Sequence, residues 1–231
     1  MPEASIGARL RTARTERGLS LRSVAQAIGV SASLISQVET GKTHPSVSTL
    51  LALANHLGVS MDELLGVAPP SPEPEPMFGH HSGVPLPDVQ RARENPVIEM
   101  ENGVRWERLA AGAGGPADAL LVTYQPGASS SIEGKLMRHA GIEYAYIIEG
   151  ELTLQLEFDS YVLGPGDSLQ FDSTRPHMFA NHGTSIAKGV WFVFGRRGHN
   201  QTVPDAPGAG GPQPNPANAV DVLRAMDSLN G

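Results

Sequence analysis

LRSVAQAIGVSASLISQVETG, residues 21–41, decides the fold of one end of this 231-residue chain. Val24, Ala25 and Ile28 recur on one helical face, and Ile35 and Val38 supply the apolar face of a second helix. Gly29 stands between them, where glycine takes the positive φ of a tight inter-helix turn at no steric cost. Ala25 is small where two helices must cross closely, and Ser31 is placed to cap the second helix. The spacing predicts a helix-turn-helix unit, a motif whose second helix enters the major groove of double-stranded DNA.

Working outward, the pattern predicts a bundle of five short helices within residues 1–66. The first covers residues 5–17, with Ile6, Leu10 and Ala13 inward. The fourth covers residues 46–57, opened by Pro45-Ser46 and closed by Gly58, and residues 61–65 make a last turn. The net charge of −7 is unevenly spread. Between residues 5 and 58 there are six basic residues and two acids, Glu16 and Glu39, a local +4 on an acidic chain. That balance predicts a basic face turned toward phosphate.

Cysteine is absent, which excludes disulfides and thiolate zinc sites. No apolar run reaches the roughly 20 residues of a membrane span, and the N-terminus has no signal-peptide core. A cytoplasmic protein with no membrane partner is expected. Residues 67–95 open with VAPPSPEPEP, which cannot continue a helix and reads as a semi-rigid linker. His80 and His81 are read as solvent-facing linker residues.

Residues 96–197 change period. Leu152, Leu154, Leu156 and Phe158 alternate with Thr153, Gln155, Glu157 and Asp159, the signature of one half-buried strand. Further strands are expected at 119–124, 144–148, 168–171 and 190–194, separated by Gly/Pro turn signals. Many short strands at close spacing imply a sandwich or barrel. Residues 198–231 are read as a disordered tail. In it, Val220, Leu223, Met226 and Leu229 recur at a spacing open to a short helix or a frayed end.

The pattern GLSL…VA..IGVS.SLIS..E.GK..PS makes residues 5–65 resemble the Xre/Cro/phage-repressor family of helix-turn-helix domains. The resemblance implies that Ala32, Ser33 and Gln37 read bases, with Ser36 close by. Gln37 has the reach for a bidentate pair with adenine, and Ser33 for several base edges. Arg22, Lys42 and Thr43, at helix ends and in the following loop, would hold phosphates and set register, and Ser31, the cap of the recognition helix, counts with the DNA-binding set.

The second region resembles the cupin superfamily. His139, Glu143 and Gly150 fall in register with its first motif, while Met137 and Ser131 stand where a His and a Gly belong. Gly166, His177 and Asn181 match the second motif, where Asp172 and Thr174 replace a Pro and a Gly. The implied fold is a double-stranded β-helix barrel. The fold class is thus α plus all-β in two domains.

His139, Glu143 and His177 suffice for a facial triad holding one divalent metal, Fe or Zn, while the thioether of Met137 is a poor ligand for a hard ion. The other reading is a metal-free hydrogen-bonding cluster that meets a small ligand. Both remain open on the sequence. Strand alternation puts Ala145 and Ile147 inward with Glu143, and Tyr144 and Tyr146 outward, so the tyrosines are not assigned to the ligand.

Together the two parts resemble Xre-type regulators with a C-terminal cupin sensor. The resemblance implies an operator-binding homodimer or higher homo-oligomer, a small-molecule effector and no catalytic residue. The alternative is a non-haem iron enzyme of the hydroxypropylphosphonate epoxidase type, with the same domain order and a similar His-Ala-Gly-x-Glu segment.

Overall fold

The computed structural model describes residues 5–66, 89–110, 117–131 and 134–195. The proline-rich stretch, His80, His81 and the C-terminal tail lie outside the described residues. The helical part contains α1 (Ile6–Glu16), α2 (Leu21–Ile28), α3 (Ala32–Glu39), α4 (Val47–Leu57) and α5 (Met61–Leu65). Every one of these helices starts from a serine. Ser5, Ser20, Ser31, Ser46 and Ser60 each accept a bond from the backbone N–H three residues on. Such a cap satisfies one orphan donor and is worth about 1 kcal/mol. Gly29 closes α2 in the left-handed conformation, φ 72°, as the turn requires.

Leu10, Val24, Ile35, Val38, Leu50, Leu53 and Leu57 fill the helical core. Gly7 lets α1 lie directly on the end of α3, because a Cβ there would collide with the Val38 carbonyl. A buried bidentate ion pair ties the same two helices. The Arg14 guanidinium donates from Nε and Nη2 to Glu39 at 2.6 and 2.8 Å, and from Nη1 to the Leu19 carbonyl at 2.8 Å. The pair takes one guanidinium out of any basic face and leaves the local surplus of +4 unchanged. Arg9 bonds the Leu64 carbonyl of α5, and the exposed Arg17 bonds the Ala13 carbonyl of its own helix and that of Gly58 at the end of α4. Arg11, Arg22 and Lys42 stand exposed. Charge counting could not separate structural guanidiniums from free ones.

Two antiparallel sheets form the second part. One runs in the order β1-β2-β3-β9-β4-β7 and the other β6-β5-β8. Their ranges are β1 (Val97–Glu99), β2 (Val104–Arg108), β3 (Ala117–Tyr124), β4 (Ile142–Glu149), β5 (Leu152–Leu156), β6 (Asp159–Leu163), β7 (Ser168–Asp172), β8 (His177–Ala180) and β9 (Ala187–Phe194). The inner faces carry Trp106, Leu120, Val122, Ala145, Ile147, Leu154, Phe171, Phe179 and Trp191.

The single strand expected over residues 152–159 is two. The chain turns at Glu157, φ 58°, so that Leu156 pairs with Asp159 across a two-residue hairpin. Phe158 sits at its tip, fully exposed rather than inward. The alternation ran across the turn because the hairpin contains neither Gly nor Pro to announce it.

Helices and sheets share one continuous apolar core. The amide of Ser48, near the start of α4, donates to the Ser130 carbonyl at 3.1 Å, and the Glu101 amide donates to the Pro45 carbonyl at 3.0 Å. Deeper in, Arg108 of β2 bonds Asp62 of α5 at 2.9 Å, with Asp118 of β3 at 3.6 Å. Side-chain exposure of all three is 4% or less. The guanidinium also donates to the carbonyls of Leu109 and Ala119, both at 3.1 Å. Gln90 bonds the Arg108 carbonyl, so the chain is already seated on β2 before residue 96.

Candidate functional site

The first candidate surface is α3. Ser33 and Gln37 lie one turn apart on its exposed side, with Ala32 and Ser36 half-buried at its flank. Ser31 spends its hydroxyl as the N-cap, accepting from Leu34 N–H at 3.1 Å. Arg22 and Lys42 are exposed and Thr43 is half-buried. The cap and the Arg14–Glu39 pair hold α3 at both ends, so its outer face is presented on a rigid support.

The second lies between the sheets. His139 precedes β4, Glu143 is on β4, and His177 opens β8 on the opposite sheet. Their ligand-type atoms all lie within 4.8 Å of one another, and all three residues are buried. Each imidazole is oriented from behind. Nδ1 of His139 lies 3.2 Å from the Ala140 carbonyl and Nδ1 of His177 lies 2.8 Å from the Arg175 carbonyl. Nε2 of both rings faces the interior, the atom through which an imidazole oriented at Nδ1 binds a metal.

His139 Nε2 is 2.7 Å and His177 Nε2 3.2 Å from Glu143 Oε1, which also accepts from the Ser173 hydroxyl at 3.2 Å. The His177 contact is near but off the line of a hydrogen bond, and its Nε2 has no hydrogen-bond partner among the described residues. Burial alone would raise the Glu143 pKa. The His139 hydrogen bond and the adjacent His177 outweigh it and hold the carboxyl down at about 2. An ionised carboxylate, two presented Nε2 atoms and one orphaned buried nitrogen fit a divalent ion bound by two His and one Glu. Met137 is half-buried beside them, its backbone bridged to that of His177.

Around the triad is a cavity of about 30 Å³, walled by Trp106, Tyr124, Met137, Phe179 and Trp191, with Val47 and Leu51 of α4. Alternation holds on β4, where Tyr144 and Tyr146 face out. The ring of Tyr124 lies inside, since the last residues of β3 are buried. Burial pushes its hydroxyl pKa well up, so it stays neutral. Sequence reading missed Val47 and Leu51 altogether. Their signal was α4 itself, apolar at Val47, Leu50, Leu51, Leu53, Ala54 and Leu57, which is too wide a stripe for one buried face.

Comparison with known proteins places the two parts in known families. A helix-turn-helix domain model matches residues 5–65, and a cupin domain model matches residues 120–193. The HTH-type transcriptional regulator PuuR of Escherichia coli (strain K12) is 29% identical over 184 residues, covering 79% of this chain and 90% of the relative. The HTH-type transcriptional regulator SutR of the same organism is 22% identical over 174 residues, covering 75% and 85%. A crystal structure of an HTH_3 family transcriptional regulator from Vibrio cholerae shares the fold, with a TM-score of 0.57 at 22% identity, covering 84% of this chain and 97% of that one.

Proposed function

Since this chain is a helix-turn-helix transcriptional regulator with a cupin domain, homologous to the Xre-type regulators PuuR and SutR, we propose that it binds an operator in duplex DNA and that a ligand of the cupin cavity sets its affinity. The observation that carries the DNA-reading assignment is the exposed Ser33–Gln37 face of α3, supported at both ends. Gln37, with Ser33 and Ala32, reads base edges in the major groove. Ser36 lies beside them. Arg22, Lys42 and Thr43 contact phosphate, and Ser31 supports them by capping the helix. Operators with two half-sites need two recognition helices, so the working form is a homodimer or a larger homo-oligomer.

His139, Glu143 and His177 are the residues that would hold a divalent ion, Fe or Zn. Such an ion would supply a Lewis-acid anchor for an oxygen or nitrogen of the ligand. No observation favours the epoxidase reading. The relatives matched over most of the chain are regulators, and no Lys or Arg among the described residues walls the cavity to receive a phosphonate.

A gel shift with the DNA upstream of the chain's own coding sequence tests the proposal, and no specific complex at moderate salt would refute it. Gln37→Ala is expected to weaken the specific complex by about 1–3 kcal/mol and to leave random-DNA binding nearly unchanged. Equal loss on both DNAs removes Gln37 from base reading. Lys42→Ala is expected to weaken both alike and to lower the slope of log K against log salt by about one. A slope that does not move takes Lys42 off the phosphates.

A further inference from the structure

The cavity around the triad is not closed by the barrel alone. Its remaining wall is Val47 and Leu51, one turn apart on α4 of the DNA-binding part. Its volume of about 30 Å³ is room for a water or two. Sites for organic ligands run to roughly 300 Å³ and more. The wall is apolar, yet Trp106 in it has a buried indole N–H with no acceptor among the described residues. An indole N–H at such depth ordinarily has a partner.

We propose that the effector site is shared between the two domains. An organic effector with an apolar body and an oxygen acceptor for Trp106 enters by displacing α4 from the barrel. Ligand occupancy and docking of α4 then exclude each other. This rests on the reading of the cupin part as a sensor, and it adds how the signal leaves the site.

The contacts that must break are the Ser48–Ser130 and Glu101–Pro45 backbone bonds at the N-terminal end of α4 and, because the bundle moves with α4, the Arg108–Asp62 pair between α5 and β2. That end follows Lys42 and Thr43 by only a few residues, and α3 precedes them. Moving α4 therefore moves the DNA-facing surface of the same bundle relative to the barrel.

Two amides report the event. Ser48 is the second residue of α4, where a helix offers its N–H no partner of its own, so its protection comes from the Ser130 carbonyl. The Glu101 amide is protected by Pro45 in the same way. The probe is 6-propionyl-2-(dimethylamino)naphthalene, a neutral aromatic ketone too large for the cavity as it stands. It is titrated into the full-length chain by fluorescence while hydrogen exchange is followed at both amides.

Saturation with one probe per chain is expected to speed exchange at Ser48 and Glu101 by about tenfold or more. Leu51→Ala cuts back the α4 wall and is expected to tighten probe binding by about tenfold, and Trp106→Phe to weaken it. Stoichiometric binding with both amides still protected overturns the proposal, as does failure of folded Leu51→Ala to bind the probe. None of these readouts uses DNA, so a failed gel shift would count against the regulator reading and not against the shared site.

Discussion

Arg108→Ala is expected to cost about 3–5 kcal/mol of unfolding free energy, the usual effect of removing one partner from a buried ion pair. The guanidinium is 2% exposed and sits between Asp62 of α5 and Asp118 of β3. Removing it leaves two buried carboxylates without their common cation. It also removes the guanidinium bonds to the Leu109 and Ala119 carbonyls, the second of which keeps the Leu109 amide. Because Asp62 belongs to the helical part and Asp118 to the sheet, the loss falls on the junction between them. Urea denaturation followed by far-UV circular dichroism and tryptophan fluorescence measures it. Both tryptophans, Trp106 and Trp191, lie in the sheets, so fluorescence reports that part alone. In the variant the two signals are expected to separate, the helical part melting first. A loss below about 1 kcal/mol would mean that the pair contributes no more than an exposed one, and the junction would have to be held by apolar contact instead.

The second large effect is all-or-none. Protein purified without an affinity tag or chelator is expected to carry close to one divalent ion per chain, and His139→Ala close to none. The expectation follows from the donor set. Both imidazoles are held from behind by backbone carbonyls, Glu143 is ionised, and His177 Nε2 has no hydrogen-bond partner among the described residues. Removing one of three protein ligands leaves a two-ligand site, which holds a divalent ion weakly. Elemental analysis of both proteins decides the matter, and a thermal melt of each separates loss of metal from loss of fold. No metal in either protein would make the triad a hydrogen-bonding cluster in which His139 Nε2 donates to Glu143. The cavity would then meet its organic ligand directly.

Much of the helical part was legible because its determinants are local. The apolar spacing, Gly29 and the serine caps each act within four residues, so a helix-turn-helix reads from a short window. The strands were harder. Those over 119–124, 144–148, 168–171 and 190–194 carried apolar runs between turn signals. β1, β2, β6 and β8 are too short, or too polar on their exposed edge, to stand out alone, and β5 and β6 read as one. His139, Glu143 and His177 were legible from motif spacing, although they come from opposite sheets. The spacing does not say that two backbone carbonyls orient the imidazoles.

The sequence by itself determined the two folds, the order of the domains and which polar residues stand out within each. Only the tertiary structure decided which charges are free. Arg14 and Arg108 look in the sequence like any other basic residue, and they are buried because Glu39, Asp62 and Asp118 meet them from 25, 46 and 10 positions away. It also decided that α4 closes the barrel. A helix apolar on two faces announces that it has two partners, but only packing in space says which ones, because side-chain burial depends on contacts that no local spacing encodes.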